Sequence, residues 1–378
     1  MPQKNVLLLY YYYHHHVMVE RLASSMKEVG VCVDVLCMDN LQLVKHSDLE
    51  YKWSTRLFLS FFKRCKNNLI LRVARKLMAS HMMKDMMKRY NLVDFHYFAL
   101  YYLSFMAFCK RKDIPFDITL WGSDLMRADD ASLANKKEAF DACRYIKCAE
   151  NLHQELVGKY SHVYDDKVRH VYWGNSDYDA IDNLPSGKAE EFRNSLLKNQ
   201  ENEIVTCGYN GAEGQNHAAI IEAIQGLPKE IKANASFLFP MTYGANPEYL
   251  SKVRSALDKA GVHYTIIDKY ISSEEIAAIR LASDVVVNIQ KTDAFSGSLQ
   301  DHLYCNNVMI IGEWLNYVPL DNNDVYYIKT AITELSSKLE AVLSELPKYK
   351  ELCLGNHDKM ANLTSWKAVL PRWASCYC

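Results

Sequence analysis

The chain has 378 residues, of which 49% are hydrophobic and 24% charged, and its formal net charge is −1. This composition excludes a largely disordered chain, and the length favours two domains over a single core. The 11 cysteines form no CxxC pair, which argues against a disulfide framework or a zinc site and favours reduced, buried thiols in the cytosol. No apolar segment is long enough to predict a membrane span, and the apolar N-terminus lacks the cleavage site of a signal peptide.

The first half of the chain alternates between strand and helix patterns. A strand at Val6–Tyr11, a helix-spaced segment at Val17–Val29 and a strand at Val31–Leu36 predict a βαβ unit, in which Gly30 ends the helix. Beyond the atypical segment 41–90, further strands are predicted at 93–97, 116–121, 145–149 and 169–172.

A second series begins after residues 183–202, which are rich in charges, contain Pro185 and are typical of an interdomain linker with a surface helix. Its strands are predicted at 204–208, 236–239, 264–267, 284–289 and 308–311. The expected fold class is α/β, with Rossmann-like domains at 1–182 and 203–348 whose parallel sheets face a central cleft, followed by a helical tail at 349–378. Ligands bind beyond the carboxyl ends of parallel strands, so the turns after the strands are where chemistry is expected.

The turn from Asp293 to Asp301 follows a strand and begins a helix. Its small residues Ser296, Gly297 and Ser298 leave backbone N–H groups free at the helix start, where the donors and the helix dipole both favour a phosphate. Asp301 lies about one helical turn inward, in a place to accept hydrogen bonds from a ribose diol, and Asp293 is placed to face a sugar. The alternative is an ordinary helix start, in which Ser296 is the N-cap and Asp293 is solvated.

The turn after the strand at 204–208 contains three glycines, which permit unusual backbone angles and close approach of a ligand. Asn210, Asn216 and His217 are expected to donate hydrogen bonds to phosphate oxygens. The alternative is a flexible loop in which Asn216 is the N-cap of the next helix.

A third turn, Leu120–Asp124, ends a strand of the first domain with Gly-Ser-Asp. Asp124 is a candidate catalytic base or acceptor-orienting group, and it is equally suited to cap the next segment. His96, at the end of the preceding strand, is a candidate catalytic residue, although a lone histidine is more often structural.

Together these turns resemble those of the GT-B glycosyltransferases. Asp293-x7-Asp301 is similar to the E-x7-E motif of the large retaining GT-B family, in which the first acid contacts the sugar and the second contacts the ribose. The segments 121–124, 216–217 and 239–246 are more similar to the fucosamine-derivative transferases that build enterobacterial common antigen on a lipid carrier. The two groups differ in stereochemistry, and the motifs leave open whether transfer retains or inverts it.

The resemblance implies that the C-terminal domain binds a nucleotide-diphosphate sugar, with Asp293 as a catalytic residue and Tyr243 among the donor contacts. It implies a lipid-linked or polysaccharide acceptor on the N-terminal domain, in bacterial surface polysaccharide synthesis, with no cofactor and no metal. The chain departs from the pattern, because both acids are Asp rather than Glu. The Arg and Lys that often hold the diphosphate are also missing, and Lys291 is a candidate for the missing positive charge.

Two other functions fit the same outline. The first is a catalytically silent module that binds a sugar nucleotide within a polysaccharide assembly. The second is an NAD-dependent enzyme with two similar domains, but the absence of G-x-G-x-x-G counts against it.

The segment from Tyr51 to Tyr90 carries eleven Lys or Arg against one acid, Asp85, and apolar residues are interleaved with the basic ones. This pattern is typical of amphipathic helices on an anionic membrane, where each basic residue adds about 1 kcal/mol of attraction. A nucleic-acid surface is the rival interpretation, but no binding motif accompanies it. Solvated helices are the third. We expect a cytoplasmic protein, peripheral on the inner face of the cell membrane, that does not bind nucleic acid.

The membrane interpretation predicts the behaviour of a charge-depleted variant. Six basic residues of the segment are replaced by Gln: Lys63, Arg64, Lys66, Arg72, Arg75 and Lys76. The variant should sediment less with anionic lipid vesicles than the wild type, because six attractive charges are lost. Neutral vesicles are the control, and activity on a water-soluble acceptor should survive. Equal sedimentation of the two proteins with anionic vesicles would contradict the membrane interpretation.

Overall fold

The computed structural model describes residues 4–11, 16–39, 42–51, 83–197 and 202–377. The chain forms two compact units. Unit 1 comprises the described residues up to Gly174 together with those from Trp366 onwards, and unit 2 comprises Asn175–Ser365.

Unit 1 is built on a sheet with the strand order β3-β2-β1-β4-β5-β6-β7. The strands are β1 (Lys4–Tyr10), β2 (Val31–Cys37), β3 (Leu43–Val44), β4 (Leu92–His96), β5 (Phe116–Thr119), β6 (Ile146–Cys148) and β7 (Val168–His170). The helices are α1 (His16–Glu28), α2 (Leu103–Arg111), α3 (Ser123–Met126), α4 (Asp130–Ala142), α5 (Glu150–Tyr160) and the C-terminal helix (Trp366–Tyr377). Neighbouring strands are parallel except at the edge, where β3 is antiparallel to β2.

Unit 2 is built on a parallel sheet with the order β10-β9-β8-β11-β12-β13. The strands are β8 (Glu203–Cys207), β9 (Ala235–Pro240), β10 (His263–Ile267), β11 (Val285–Asn288), β12 (Val308–Gly312) and β13 (Ile328–Thr330). The helices are α6 (Asp177–Asp182), α7 (Lys188–Leu196), α8 (His217–Gly226), α9 (Lys229–Ala233), α10 (Pro247–Ala260), α11 (Ser273–Ala282), α12 (Gly297–Tyr304), α13 (Val318–Asp321), α14 (Leu335–Ser344), α15 (Leu346–Cys353) and α16 (Asn356–Thr364).

The strand order of unit 2 is that of a Rossmann sheet, and it reverses between β8 and β11. At such a switch point the connections after two adjacent strands diverge, which leaves a crevice at the carboxyl edge of the sheet. Every residue of β11 is buried, as expected for the β-branched central strand of a parallel sheet. The prediction of two α/β domains with parallel sheets is therefore confirmed. The two short edge strands, β3 and β13, were not predicted, because two or three residues carry no periodicity.

The boundary between the units differs from the expected one. The predicted linker at 183–202 contains α7, whose Leu196 packs in a cluster with Ile204, Leu238 and Ile279 of unit 2. The apolar face of α7 escaped notice because the helix is short and highly charged. The expected tail is also divided, since its last helix belongs to unit 1, where the indole N–H of Trp373 donates to the Tyr172 carbonyl over 2.8 Å.

The described ends of the basic segment meet at Asp34, a fully buried carboxylate on β2. It accepts hydrogen bonds from the hydroxyls of Ser47, Tyr51 and Tyr90 over 2.5, 3.1 and 2.7 Å. These bonds oppose burial and hold the pKa of Asp34 below its ordinary value. Residues 52–82 lie outside the described residues, so the membrane-binding helices stay a prediction. In the part of the chain that the structure describes, no helix is long and apolar enough to cross a bilayer.

A fully buried charge network underlies the C-terminal helix in unit 1. The Lys147 ammonium lies 2.6 Å from an Asp94 oxygen and 3.0 Å from an Asp117 oxygen, and all three side chains are inaccessible to solvent. The hydroxyl of Tyr377, on the C-terminal helix, donates to Asp94 over 2.6 Å. Burial alone would lower the pKa of Lys147, but the two carboxylates raise it above its ordinary value. The network therefore stays ionised and fixes the C-terminal helix onto β4 and β5.

This network predicts the effect of Tyr377→Phe. The change removes one hydrogen bond to a buried carboxylate and should lower the free energy of unfolding by about 1.5–3 kcal/mol. Tyr327→Phe is the matched control, since Tyr327 also donates to a carboxylate, Asp321, but in an exposed pair, and it should cost less than about 0.5 kcal/mol. Chemical denaturation measures both, and a Tyr377→Phe protein as stable as the control would exclude this role for the network.

Candidate functional site

The turn between β11 and α12 is organised by Asp293. One of its oxygens accepts from the Tyr317 hydroxyl over 2.6 Å and from the Ser296 hydroxyl over 3.0 Å. The Ser296 N–H also donates to the carboxylate, over 3.2 Å. Burial raises the pKa of Asp293 above its ordinary value despite these donors. Asp293 is therefore bound by donors of its own turn while remaining partly exposed, and the carboxylate organises the turn.

The Ser296 hydroxyl donates to Asp293 and accepts no hydrogen bond from the first turn of α12, so its side chain does not cap the helix. Among the described residues, no group accepts a hydrogen bond from the N–H of Gly297 or Ser298. Gly297 is exposed, and a Cβ added to it would meet no atom within 4 Å. The preceding Phe295 has a left-handed φ of 73°, which turns the chain sharply into the helix. The alternative of a Ser296-capped helix is wrong, and the first turn of α12 keeps unpaired donors.

The turn after β8 lies beside this one. Gly208 has a φ of 68°, and a Cβ there would lie 3.0 Å from the side-chain oxygen of Gln215. The Gln215 amide donates to the Gln290 side-chain oxygen over 2.9 Å, and the Tyr209 hydroxyl donates to the same atom over 3.1 Å. Gln290 follows β11, so these bonds join the turns on the two sides of the switch point. The sequence patterns did not signal Gln215, Gln290 or Tyr317, although Gln290 closely follows β11.

Asn216 has a left-handed φ of 60°, and its side-chain amide donates to the carbonyl of Ile289 over 2.7 Å. It is therefore not a side-chain cap of α8. Asn216 was expected to donate a hydrogen bond to a phosphate oxygen. In the structure its side-chain amide instead donates to the backbone of the neighbouring turn.

His217 begins α8 and is fully buried. Its Nδ1 lies 3.1 Å from the Tyr249 hydroxyl, whereas no described group meets hydrogen-bonding geometry at its Nε2. Burial lowers the pKa of His217 to about 4, so the ring is neutral at pH 7. The backbone of Asn210 also interacts with the ring and opposes the lowering of its pKa. When Tyr249 donates to Nδ1, the ring proton lies on Nε2 and makes it a donor. The side-chain nitrogen of Gln290 is likewise buried without a partner in the described part of the chain.

The remaining predicted donor contacts lie around the same edge of the sheet. The side-chain nitrogen of Asn210 lies 3.4 Å from the Tyr243 hydroxyl. Gly211 permits the loops after β8 and β9 to touch, because a Cβ there would lie 2.4 Å from that of Ala245. Tyr243 is 61% exposed and is therefore open to a ligand. Lys291 is exposed and is anchored by its backbone N–H, which donates to the Gly214 carbonyl over 2.8 Å.

Asp301 is placed differently from what the resemblance implies. It is fully buried, with one oxygen 2.6 Å from the Asn175 side-chain amide and the other 3.2 Å from Arg280 Nε. Burial raises the pKa of Asp301 to about 7, against the opposing charge of Arg280. The carboxylate therefore belongs to an internal network of unit 2 instead of being open to a ribose diol. No motif signals Arg280 or Asn175 as its partners.

The two catalytic candidates of unit 1 also have internal partners. Asp124 accepts from the backbone N–H groups of Phe98, Trp121 and Gly122 over 2.8–3.0 Å, so it caps its own turn, as one of the alternatives proposed. Burial nevertheless raises the pKa of the Asp124 carboxyl.

His96 is fully buried, and its Nε2 lies 3.0 Å from an oxygen of Asp94. Its ring stacks on Trp373 at 5.9 Å between ring centroids. Its Nδ1 has no hydrogen-bond partner among the described residues. His96 therefore belongs to the charge network beneath the C-terminal helix, which is the structural alternative for a lone histidine.

The geometry at the switch point of unit 2 suits an anion. Two helices, α8 and α12, begin there without side-chain caps, and their dipoles and N–H groups both favour negative charge. The buried side-chain nitrogens of His217 and Gln290 lie at the same edge of the sheet. Within the described residues, no group of three or more His, Cys, Asp or Glu side chains is arranged to hold a metal ion.

No protein-family model matches the chain, and no curated protein matches its sequence. Solved structures are similar over nearly the whole length. A glycosyltransferase from Rickettsia africae has a TM-score of 0.74 at 14% identity, covering 100% of this chain and 98% of that one. HepE of Anabaena, in complex with UDP, has a TM-score of 0.73 at 10% identity and 99% coverage of both chains. The catalytic domain of starch synthase IV from Arabidopsis thaliana, bound to ADP and acarbose, has a TM-score of 0.67 at 11% identity, covering 100% of this chain and 99% of that one. At these identities the similarity establishes the fold, and the chain has the two-domain α/β fold of the GT-B glycosyltransferases.

Proposed function

We propose that this protein is a glycosyltransferase that takes a sugar from a nucleotide-diphosphate donor bound at the switch point of unit 2. One observation carries the proposal. Two helices without side-chain caps begin at the same edge of the sheet, where buried side-chain nitrogens of His217 and Gln290 have no hydrogen-bond partner among the described residues. Buried polar atoms are nearly always paired, so their concentration at one strand edge favours a ligand that completes them.

The similar structures support the chemical class of that ligand. HepE is known with UDP and with UDP-glucose, and starch synthase IV with ADP and acarbose. A nucleoside diphosphate presents an anion and a planar base, and an anion fits the first turn of α12. A screen of nucleotide-sugar donors would identify the nucleotide base and the sugar.

The proposed chemistry uses fixed dipoles. As the bond between sugar and diphosphate breaks, negative charge grows on the leaving phosphate. The N–H groups of Gly297 and Ser298 are already oriented by Asp293, so stabilising that charge requires no reorganisation. A neutral His217 donating from Nε2 would add a further hydrogen bond, and Lys291 would add a positive charge at the rim.

We further propose a lipid-linked or polysaccharide acceptor bound by unit 1 and a place in surface polysaccharide synthesis. The basic, apolar-interleaved sequence from Tyr51 to Tyr90 supports this, since a cytoplasmic enzyme that is peripheral on the membrane reaches a lipid-linked acceptor. The closer resemblance to the E-x7-E and enterobacterial common antigen groups stays a prediction, as does the central cleft.

A second function is favoured by one observation. Both candidate bases of unit 1, Asp124 and His96, have internal partners and are buried. This would fit a module that binds a sugar nucleotide without transferring the sugar. Mixing the protein with UDP-, GDP-, ADP- and TDP-sugars distinguishes the two, because only an enzyme releases the nucleoside diphosphate in the presence of an acceptor or of water.

The anion site predicts the effect of Gly297→Val. A side chain here occupies open space beside the first N–H groups of α12, where the diphosphate is proposed to bind. Turnover should fall by about 10²-fold or more, on the scale of losing one preorganised donor. The melting temperature should hold, because no atom lies within 4 Å of the added Cβ.

Gly158→Val is the matched control, since a Cβ at Gly158, on α5 of unit 1, also meets open space. Initial rates and melting temperatures are measured on the same preparations, with the donor found by the screen. A folded Gly297→Val protein with undiminished turnover would remove the diphosphate from α12.

A further inference from the structure

The segments by which the chain enters and leaves unit 2 both pack against α12. On the entering side, the ring of Tyr178 stacks on Tyr304 with 3.8 Å between centroids and 7° between planes. On the leaving side, Nδ1 of His357 lies 3.0 Å from the carbonyl oxygen of Tyr304. The two segments also touch each other, since the Tyr178 and Thr364 hydroxyls are 2.8 Å apart. They therefore set the position of α12 and of its N-terminal turn.

Asn175 links the entering segment to α12 and to the leaving segment. Its Nδ2 donates to Asp301 over 2.6 Å and lies 3.4 Å from the carbonyl oxygen of Gly297, so it bridges two turns of α12. Its backbone N–H donates to the Thr364 carbonyl over 2.8 Å. Its side-chain oxygen accepts from the N–H of Asp177 over 2.9 Å, which fixes the amide orientation.

We propose that Asn175 is a positioning residue for the nucleotide, which acts through Asp301 and Gly297 to hold the first turn of α12 where the diphosphate binds. This inference rests on the proposed function and extends it to a residue that no motif singles out. The bond to Asp301 is charge-assisted when the carboxylate is ionised and weakens when it is protonated. The hold on α12 therefore depends on pH.

The direction of the pH dependence follows from the groups around Asp301. They are Arg280 on α11, Asp177 and Tyr178 on α6, and Cys305 after α12. Burial raises the pKa of Asp301 to about 7, the charge of Asp177 adds to the rise, and Arg280 and the Asn175 amide lower the pKa. Removing the amide of Asn175 should therefore raise the pKa further and move protonation to higher pH.

The test is calorimetric titration with UDP between about pH 6 and pH 9, on the wild type and on Asn175→Ala. Wild-type affinity should rise as the pH passes about 7. The variant should bind about tenfold more weakly by about pH 9, where Asp301 is ionised and the variant lacks the charge-assisted bond of the wild type, and the difference should shrink towards pH 6. The terminal phosphate of UDP titrates near this range as well, but it does so identically for every variant.

The matched control is Asn183→Ala. Asn183 lies at the end of α6, and its amide also donates to a backbone carbonyl, that of Asp179, over 2.7 Å. Its UDP curve should superimpose on that of the wild type. Asn175→Ser, which keeps a shorter donor, gives the same direction of shift if Asn175→Ala does not fold.

An Asp301→Asn background separates positioning from general stability. If Asn175 acts through the carboxylate, adding Asn175→Ala to Asp301→Asn should change the UDP affinity by less than about twofold. An equal loss in both backgrounds, or an Asn175→Ala curve that superimposes on the wild-type curve, overturns the inference alone. If the wild type binds neither UDP nor any other nucleoside diphosphate at any pH, the proposed function itself is overturned, and the inference with it.

Discussion

The Asp293 carboxylate is the interaction on which the candidate site depends. It takes the hydroxyl and the N–H of Ser296 and the hydroxyl of Tyr317. In an ordinary helix start, a serine at this position would cap the helix and satisfy one of its free donors. Here the serine is turned away, and Phe295 adopts a left-handed conformation to allow it. The first N–H groups of α12 stay unpaired because the Ser296 side chain, which would otherwise accept from one of them, is directed to Asp293.

The two units treat buried polar groups in opposite ways. In unit 1, the Lys147 ammonium pairs with the carboxylates of Asp94 and Asp117, Arg144 also pairs with Asp117, and the C-terminal helix covers the network. Such a network fixes a packing arrangement, because breaking one member leaves an uncompensated buried charge. In unit 2, His217 and Gln290 are buried at the switch point with nitrogens that have no partner in the described part of the chain. A buried polar group without a hydrogen bond destabilises the folded protein. Because these nitrogens lie at the strand ends, where ligands bind, a bound ligand is suited to supply the missing hydrogen bonds.

The fold was readable from the sequence because parallel strands and their helices leave strong patterns. The run Asp284–Ile289 contains a central strand, and the expected strands of both sheets were found within one or two residues of their predicted ends. The domain boundary could not be predicted from the sequence, because the few apolar residues of α7 are interspersed with many charged ones. The tail was misplaced because a helical pattern does not say which unit the helix packs against.

The site was only partly readable, for a related reason. Motif residues such as Asp293, Ser296 and Gly297 do lie together after β11. The sequence does not indicate, however, which of their polar atoms form hydrogen bonds within the protein. Asp301 was expected to face a ligand, and it faces Arg280 and Asn175 instead. Both partners are distant in sequence, so only the folded chain reveals them.

The central claim is that a nucleoside diphosphate binds where α8 and α12 begin. A crystal structure with UDP, or with whichever nucleoside diphosphate binds most tightly, tests this most directly. The account predicts diphosphate oxygens within hydrogen-bonding distance of the N–H groups of Gly297 and Ser298, with Nε2 of His217 within reach of the ligand. A nucleotide bound elsewhere, or with its diphosphate turned away from α12, would contradict the account.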